Sequence, residues 1–134
     1  MSDDDSPKSN VATSRILIVE DNRDAAKVLE VMLSQLGHET QLAFDGLKAV
    51  DIARQFEPQI VLMDLDLPVL DGCEATRRIR AELKSQPRIV ALTGRNSSPE
   101  LAQKPAGFDY YFTKPVDYEQ LEMLVTRIAS GAGS

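Results

Sequence analysis

The sequence predicts an α/β fold, a doubly wound five-stranded parallel sheet in the order 2-1-3-4-5 with helices on both faces. Short apolar segments alternate with segments of helical periodicity along the 134 residues. Most of the apolar segments are continuous, which is typical of parallel strands buried on both faces. Right-handed crossovers then leave only a few winding orders, and 2-1-3-4-5 is a common one for five strands.

The first half of the chain is predicted to hold three strands and two helices. Apolar runs place the strands at 15–19, 39–44 and 60–64, and the second of these alternates weakly, as an edge strand does. Apolar residues at 3-and-4 spacing predict an amphipathic helix that Gly37 ends, with its buried stripe formed by Ala25, Val28, Leu29, Met32, Leu33 and Leu36. The second helix ends before Pro58, because the residue preceding a proline disfavours helical geometry.

The second half is predicted to add two strands and three helices. Asp71 opens a helix through a capping box, and a shorter helix starts at Ser98 and cannot pass Pro105. The strands are expected at 88–93 and 110–113, and Asp117 caps the last helix. The predicted organisation is a disordered acidic and polar arm at 1–14, one folded domain at 15–130 and a flexible end at 131–134.

Composition excludes several classes of function. A net charge of −6 argues against sequence-independent nucleic-acid binding, which needs Lys and Arg to neutralise phosphates. No apolar run has membrane-spanning length, and the N-terminus lacks a signal-peptide pattern, so we expect a cytoplasmic protein without a membrane segment. Cys73 is the only cysteine and His38 the only histidine, which excludes an internal disulfide and a structural zinc site.

Polar side chains follow four of the predicted strands. Glu20 and Asp21 follow the first strand, Asp64 ends the third, Thr93 ends the fourth and Lys114 follows the fifth. In this winding order the first and third strands are neighbours, and ligands bind beyond the carboxyl ends of the strands at that point. The sequence therefore predicts that these side chains face one crevice.

The chemistry of this group favours phosphoryl transfer. Three carboxylates in one crevice repel one another unless a cation is present, and Mg²⁺ prefers oxygen ligands of this kind, with Mn²⁺ as an alternative. Lys114 adds a second positive charge, and Thr93 a hydroxyl that can donate to an oxyanion. A carboxylate next to these groups, Asp64, is well placed to attack a phosphoryl group.

These motifs resemble those of the receiver domains of two-component response regulators, which have a flavodoxin-like, CheY-like fold. The resemblance covers about residues 15–130, and its specificity comes from five motifs in order at matching strand ends. The motifs are Glu20-Asp21, Asp64-Leu65-Asp66-Leu67-Pro68, Asp71-Gly72, Ala91-Leu92-Thr93-Gly94 and Lys114-Pro115.

The resemblance implies a role for each site residue. Asp64 would accept a phosphoryl group from a histidine kinase or a histidine phosphotransfer protein. Glu20 and Asp21 would organise Mg²⁺ together with Asp64 and the backbone carbonyl of Asp66. Lys114 would contact the phosphoryl group. Such a protein catalyses its own phosphorylation and dephosphorylation but has no separate turnover substrate, so it is not an enzyme in the usual sense.

The resemblance also implies a switch. Thr93 would move toward the phosphoryl oxygen, Tyr111 would follow it inward, and Pro115 would be preceded by a cis peptide bond. The surface formed by the fourth and fifth helices and the last strand would then select a downstream protein. Asp66 and Arg95, each two residues beyond a site residue, are opposite in charge. We expect them to pair across the crevice and slow the loss of phosphate.

Other interpretations remain for the whole chain and for single residues. A phosphatase of the haloacid dehalogenase type also uses Asp-x-Asp after an apolar strand, but there the motif opens the first strand. A flavodoxin would not place Glu20 and Asp21 against a phosphate, and a docking module that does not switch would not need these residues. Whether the chain is free-standing or part of a hybrid kinase stays open. Asp71 is expected to be a helix cap, and four basic residues a solvated helix face: Arg77, Arg78, Arg80 and Lys84.

Overall fold

The structure, a computed structural model, describes residues 13–94 and 107–131. The strands in these ranges are β1 (Arg15–Val19), β2 (Glu39–Ala43), β3 (Ile60–Asp64), β4 (Arg88–Thr93) and β5 (Tyr110–Thr113). The helices are α1 (Arg23–Gln35), α2 (Gly46–Phe56), α3 (Gly72–Glu82) and α4 (Tyr118–Ala129). The short helix predicted after Ser98 and residues 1–12 of the predicted arm lie outside the described residues.

The five strands form one parallel sheet in the order β2-β1-β3-β4-β5. The predicted fold class and strand order are therefore confirmed. β3 is the central strand, and all five of its residues are buried. In the described part of the chain, no helix combines the length and apolar character needed to cross a membrane.

Alternate residues of the strands supply two apolar cores, one on each face of the sheet. One core joins β1, β3 and β4 to α1 and α4, with Ile18, Leu62 and Leu121 among its buried members. The other joins the same strands to α2 and α3, with Met63 and Ile79 among its buried members. Because β3 is the central strand and is packed on both faces, the carboxylate at its end is held by a fully buried strand.

Each of the four described helices begins at a side chain that caps it. The capping oxygens accept hydrogen bonds from backbone N–H groups three residues later, which satisfies a donor that the first turn leaves unpaired. The pairs are Asn22 with Ala25, Asp45 with Lys48, Asp71 with Glu74 and Asp117 with Gln120. The predicted caps at Asp71 and Asp117 are confirmed, and the caps fix where each helix starts relative to the preceding strand.

Two helix faces differ from the sequence-based prediction at one residue each, whereas Arg77, Arg78 and Lys84 are exposed as predicted. Val28 was expected on the buried stripe of α1, but it is 46% exposed, because Ala26, Leu29 and Leu33 are the residues that meet the sheet. Arg80 was expected on a solvated face. Instead its guanidinium donates to the carbonyl oxygens of Gly107 and Pro87 and to the carboxylate of Asp109, tying α3 to the segment that enters β5.

His38 is buried just before the first residue of β2, at the end of the sheet opposite to the carboxyl ends of the strands. Its Nδ1 accepts a hydrogen bond from the backbone N–H of Ser14 at 3.0 Å, and the residue is 5% exposed. Burial lowers the pKa of His38 from its ordinary value of 6.5, so the folded protein holds a neutral imidazole. The unfolded chain therefore binds a proton near pH 6.5, whereas the folded chain binds it only at a lower pH.

We expect this difference in proton uptake to make stability depend on pH. The contribution of His38 is fully present above about pH 7, and it is lost as the pH falls from 6.5, the pKa in the unfolded chain, through the lower pKa of the folded protein. Urea unfolding at pH 7.5 and pH 5.5 measures this loss as a difference between two proteins, because Asp64 also titrates in this interval with the opposite effect. A His38→Asn variant, whose amide oxygen can accept the same hydrogen bond without titrating, should lose less stability over this interval. An equal loss in both proteins would contradict the assignment.

Candidate functional site

The register of the sheet brings the predicted site residues to one edge. Val19 pairs with Met63 in the neighbouring strand, and Asp64 pairs with Leu92. Thr93 pairs with Thr113, the residue before Lys114. The carboxyl ends of β1, β3, β4 and β5 therefore lie at the same edge of the sheet, which brings Glu20, Asp64, Thr93 and Lys114 to that edge.

Three carboxylates meet at this edge. Oxygen atoms of Glu20, Asp21 and Asp64 lie within 4.8 Å of one another, and no other such group of potential metal ligands occurs among the described residues. Glu20 and Asp64 are each only 2% exposed, whereas Asp21 is exposed. Asn22 supplies the cap of α1, so helix capping does not account for the two acidic residues before it.

Lys114 links the two buried carboxylates. Its Nζ donates to Glu20 Oε1 at 2.9 Å and to Asp64 Oδ2 at 3.0 Å. The Lys114–Pro115 peptide bond is cis, as expected from the resemblance. Backbone groups bind the remaining oxygens, because the N–H of Asp66 donates to Asp64 Oδ1 and the N–H of Asn22 donates to Glu20 Oε2. Both buried carboxylates are thereby fixed in orientation.

The pKa values indicate that Lys114 alone does not neutralise the negative charge of the three carboxylates. Burial, and secondarily the charge of Glu20, raises the pKa of Asp64 to about 6. Burial also acts to raise the pKa of Glu20, but hydrogen bonds from Lys114 and Asn22 outweigh it and the pKa lies below its ordinary value. Burial acts to lower the pKa of Lys114, yet the bonds to Glu20 and Asp64 hold it above its ordinary value. Negative charge is in excess.

This donor set fits Mg²⁺. The three carboxylates carry a formal charge of −3 and Lys114 carries +1, so a divalent cation would bring the site to neutrality. The ligands are all oxygens, and the exposed Asp21 leaves one side open to water, which Mg²⁺ usually retains. With Lys114 already bound to both buried carboxylates, the site can hold a cation and still direct positive charge at an incoming phosphoryl group.

Of the four remaining predicted residues, the structure describes Thr93, Tyr111 and Asp66. Thr93 ends β4 and is half-buried, one residue beyond the partner of Asp64 in the register. Tyr111 is 50% exposed, and its ring meets that of Phe108 edge to face with centroids 5.7 Å apart. Asp66 reaches the site through its backbone N–H. Arg95 lies outside the described residues, so its pairing with Asp66 stays a prediction.

Sequence reasoning missed two features near the site. The turn between β2 and α2 touches the loop between β3 and α3, because Gly46 lies against the carbonyl of Leu70. The available signal was the Asp45-Gly46 pair, which marks a turn but does not indicate what the turn contacts. Arg23 was also missed; its guanidinium lies 4.1 Å from the centre of the Phe44 ring and ties α1 to the end of β2.

An apolar surface adjoins the acidic site. A cleft of about 290 Å³ runs from Glu20 and Lys114 over Pro115 and Val116 to Tyr118. A shallower groove of about 630 Å³ continues from Tyr118 along the exposed side of α1, past Val28 and other residues. Tyr118 lines both, so the acidic site has an apolar approach on this side.

The sequence model described as the response regulator receiver domain matches residues 16–126. Among curated proteins, the chain is similar to protein PilH of Pseudomonas aeruginosa, with 37% identity over 120 residues, which are 88% of this chain and 99% of PilH. It is also similar to the response regulator MprA of a Mycobacterium species, with 39% identity over 108 residues. That match covers 80% of this chain and 46% of MprA, so the chain spans less than half of that protein.

Solved structures with the same fold include two that bear on the site. The receiver domain of the sensor histidine kinase PA1611 from Pseudomonas aeruginosa has a TM-score of 0.78 and 37% identity, covering 89% of this chain and 99% of that one. A magnesium ion is coordinated in its active site cleft. A co-crystal structure of the Saccharomyces cerevisiae phosphotransfer protein Ypd1 with the receiver domain of Ssk1 gives a TM-score of 0.79, 32% identity and coverage of 92% and 94%.

Proposed function

The chain belongs to the family of response regulator receiver domains, and on that premise we propose that Asp64 accepts a phosphoryl group from a phosphohistidine. The observation that carries the proposal is the bridge of Lys114 Nζ to two buried carboxylates, Asp64 and Glu20. This bridge places a nucleophilic carboxylate, itself only 2% exposed, next to a cation. No small-molecule substrate is needed, which suits a signalling module and not an enzyme with independent turnover.

In the proposed reaction, a carboxylate oxygen of Asp64 attacks the phosphorus of the donor. A P–O bond forms, the P–N bond to the imidazole breaks, and the imidazole keeps the electron pair and takes a proton from water. The backbone N–H of Asp66 orients the attacking carboxylate through its bond to Oδ1. Lys114 exchanges one of its carboxylate bonds for a phosphoryl oxygen, so charge that builds up on the oxygens meets a preorganised donor.

Magnesium is the proposed cofactor, with Mn²⁺ as an alternative. Glu20, Asp21, Asp64 and the backbone carbonyl of Asp66 would hold it, and it would supply positive charge to the transferring phosphoryl oxygens. The fit rests on the excess of negative charge and on the cluster of carboxylate oxygens within 4.8 Å. The magnesium ion in the similar receiver of PA1611 supports the same choice.

The phosphodonor is proposed to be a histidine kinase or a histidine phosphotransfer protein that uses the apolar surface next to the site. Such a partner must bring an imidazole to Asp64, and the cleft from Lys114 to Tyr118 opens in that direction. The exposed Val28 and Val31 of α1 extend the surface. The complex of the Ssk1 receiver with Ypd1 supports a phosphotransfer protein as one such donor.

Phosphorylation is proposed to act through Thr93 and Tyr111. The added charge would draw the Thr93 hydroxyl, and Tyr111, now half-exposed, would move inward. A downstream protein would then bind the face formed by the fourth predicted helix, β5 and the last helix, here α4. We place these events in the cytoplasm, without direct binding to nucleic acid or membrane, because the net charge is −6 and phosphohistidine donors act there.

The direct test is incubation with Mg²⁺ and acetyl phosphate, followed by intact mass spectrometry. We expect the mass of one phosphoryl group to be added, and peptide mapping to place it on Asp64. EDTA should prevent the addition. Release of many equivalents of phosphate from a small phosphomonoester would instead indicate a phosphatase. A folded protein that gains no mass would overturn the proposal and leave a docking module that does not switch.

The lifetime of the phosphoryl group is proposed to depend on Asp66 and Arg95, which carry opposite charges. If they pair across the crevice, they hinder the attacking water. After removal of the donor, an Arg95→Ala variant should therefore lose the added mass faster than the unsubstituted protein. An unchanged rate of loss would show that the pairing does not control hydrolysis.

A further inference from the structure

Gly46, the first residue of α2, lies against the loop that joins β3 to α3. A Cβ built at position 46 would stand 1.9 Å from the carbonyl oxygen of Leu70, 2.7 Å from its carbonyl carbon and 2.8 Å from its Cβ. The first two of these atoms are backbone, so no change of rotamer relieves the overlap. Any side chain at position 46 must displace the loop or the start of α2.

The start of α2 is itself held in place. Asp45 caps it through a 2.8 Å bond from the N–H of Lys48, and Ala49 and Val50 are buried in the core on this face of the sheet. Moving the helix would break the cap and disturb the core. Because the helix is fixed by these contacts, the loop is the part that would move.

The backbone of the β3–α3 loop is itself constrained. The N–H of Leu70 donates to the carbonyl of Pro68 at 2.7 Å, which closes a three-residue turn around Val69. Val69 has a φ of 69°, a left-handed conformation that a β-branched residue adopts only under constraint. At the far end, a Cβ on Gly72 would lie 2.3 Å from the carbonyl oxygen of Asp64. The loop is thus confined between α2 and the end of β3.

We propose that Gly46 is a positioning residue for the metal site, because it sets the place of the β3–α3 loop and so of the Asp66 backbone. The inference rests on the proposed function, in which the Asp66 carbonyl is a ligand of Mg²⁺. Asp66 is four residues from Leu70 and is bound through its N–H to Asp64 Oδ1. A shift forced at Leu70 is transmitted along the confined loop to that carbonyl, while all three carboxylates stay unchanged.

The test is a calorimetric titration of Gly46→Ala with Mg²⁺, without a phosphodonor. Moving the groups that orient a metal ligand weakens metal binding by about tenfold or more, and we expect a loss of Mg²⁺ affinity of about that size. At Mg²⁺ concentrations that saturate the variant, the rate of labelling by acetyl phosphate should return to within about twofold of the unsubstituted protein, since Lys114 and Asp64 are intact. A general loss of structure would not give this separation.

Gly131→Ala is the control: its φ of 84° strains an alanine there, but a Cβ at position 131 would have no neighbour within 4 Å and would therefore displace no loop. It should leave Mg²⁺ affinity unchanged. If Gly46→Ala does not fold, Leu70→Ala is used instead. It removes the partly buried side chain that packs the loop against the core, and it should also weaken Mg²⁺ binding. Unchanged affinity in a folded Gly46→Ala, or in Leu70→Ala when that variant is used, overturns the inference alone. If the unsubstituted protein does not bind Mg²⁺, the proposed function itself fails.

Discussion

Asp64→Asn is expected to abolish labelling by acetyl phosphate and, in the metal-free protein, to increase the free energy of unfolding at pH 7 by about 2 kcal/mol. The loss of labelling follows because an amide is not a nucleophile for phosphorus. The gain in stability follows because burial raises the pKa of Asp64 to about 6, so that its ionised form is unfavourable in the folded protein.

The size and pH dependence of the gain follow from that pKa. Asp64 has an ordinary pKa of 3.8. The cost of ionising it in the fold is therefore absent below about pH 4, grows as the pH rises to about 6 and is constant above. The raised pKa corresponds to about 3 kcal/mol. The pKa already includes the bond from Lys114. Roughly 1 kcal/mol is deducted because the amide has only one acceptor oxygen, so either Lys114 or the Asp66 N–H loses the acceptor that it has in the unsubstituted protein.

Urea unfolding in EDTA measures this effect, and repetition in Mg²⁺ adds a second expectation. Mg²⁺ stabilises only a protein that binds it, so it should stabilise the unsubstituted protein more than Asp64→Asn. The difference in free energy of unfolding between the two proteins should therefore shrink or change sign. Asp71→Asn is the control, because this exposed helix cap keeps its acceptor oxygen after the change. Lower stability of metal-free Asp64→Asn at pH 7 would contradict the view that the buried charge is unfavourable.

The fold and the carboxylate cluster could be predicted because both follow from local patterns. Continuous apolar runs identify strands buried on both faces, and a parallel sheet must bring their carboxyl ends together. Glu20, Asp64 and Lys114 therefore meet, although 94 residues separate the first from the last. The cis peptide bond before Pro115 was expected as well, but from the resemblance and not from any pattern in the residues.

Features that depend on contacts between segments distant in the sequence could not be predicted. Helical periodicity places Val28 on the apolar side of α1, but it does not specify how far around the helix the sheet reaches. The several hydrogen bonds of Arg80 depend on where the chain re-enters the sheet at Gly107. Gly46 resembles an ordinary turn glycine until the Leu70 carbonyl is placed against it. Each of these required the relative positions of segments that are distant in the sequence.

Lys114→Met is expected to destabilise the metal-free protein by about 3 kcal/mol at pH 7, and to slow labelling by acetyl phosphate at least about a hundredfold. The stability falls because Glu20 and Asp64, each 2% exposed, lose their shared cation and are left as buried like charges. The labelling slows because no ammonium donor then meets the transferring oxygens. Urea unfolding and a time course of intact mass measure the two effects.

The destabilisation in Lys114→Met should shrink at pH 5, because Asp64, with a raised pKa of about 6, can then take up a proton and relieve the repulsion. Mg²⁺ should also restore part of the stability, since it supplies the missing positive charge to the same carboxylates. Lys27→Met is the control; its ammonium pairs with Glu30 at the surface with a side chain 70% exposed, and such pairs contribute less than about 1 kcal/mol. Equal effects of the two substitutions would mean that the Lys114 bridge contributes no more than an exposed ion pair.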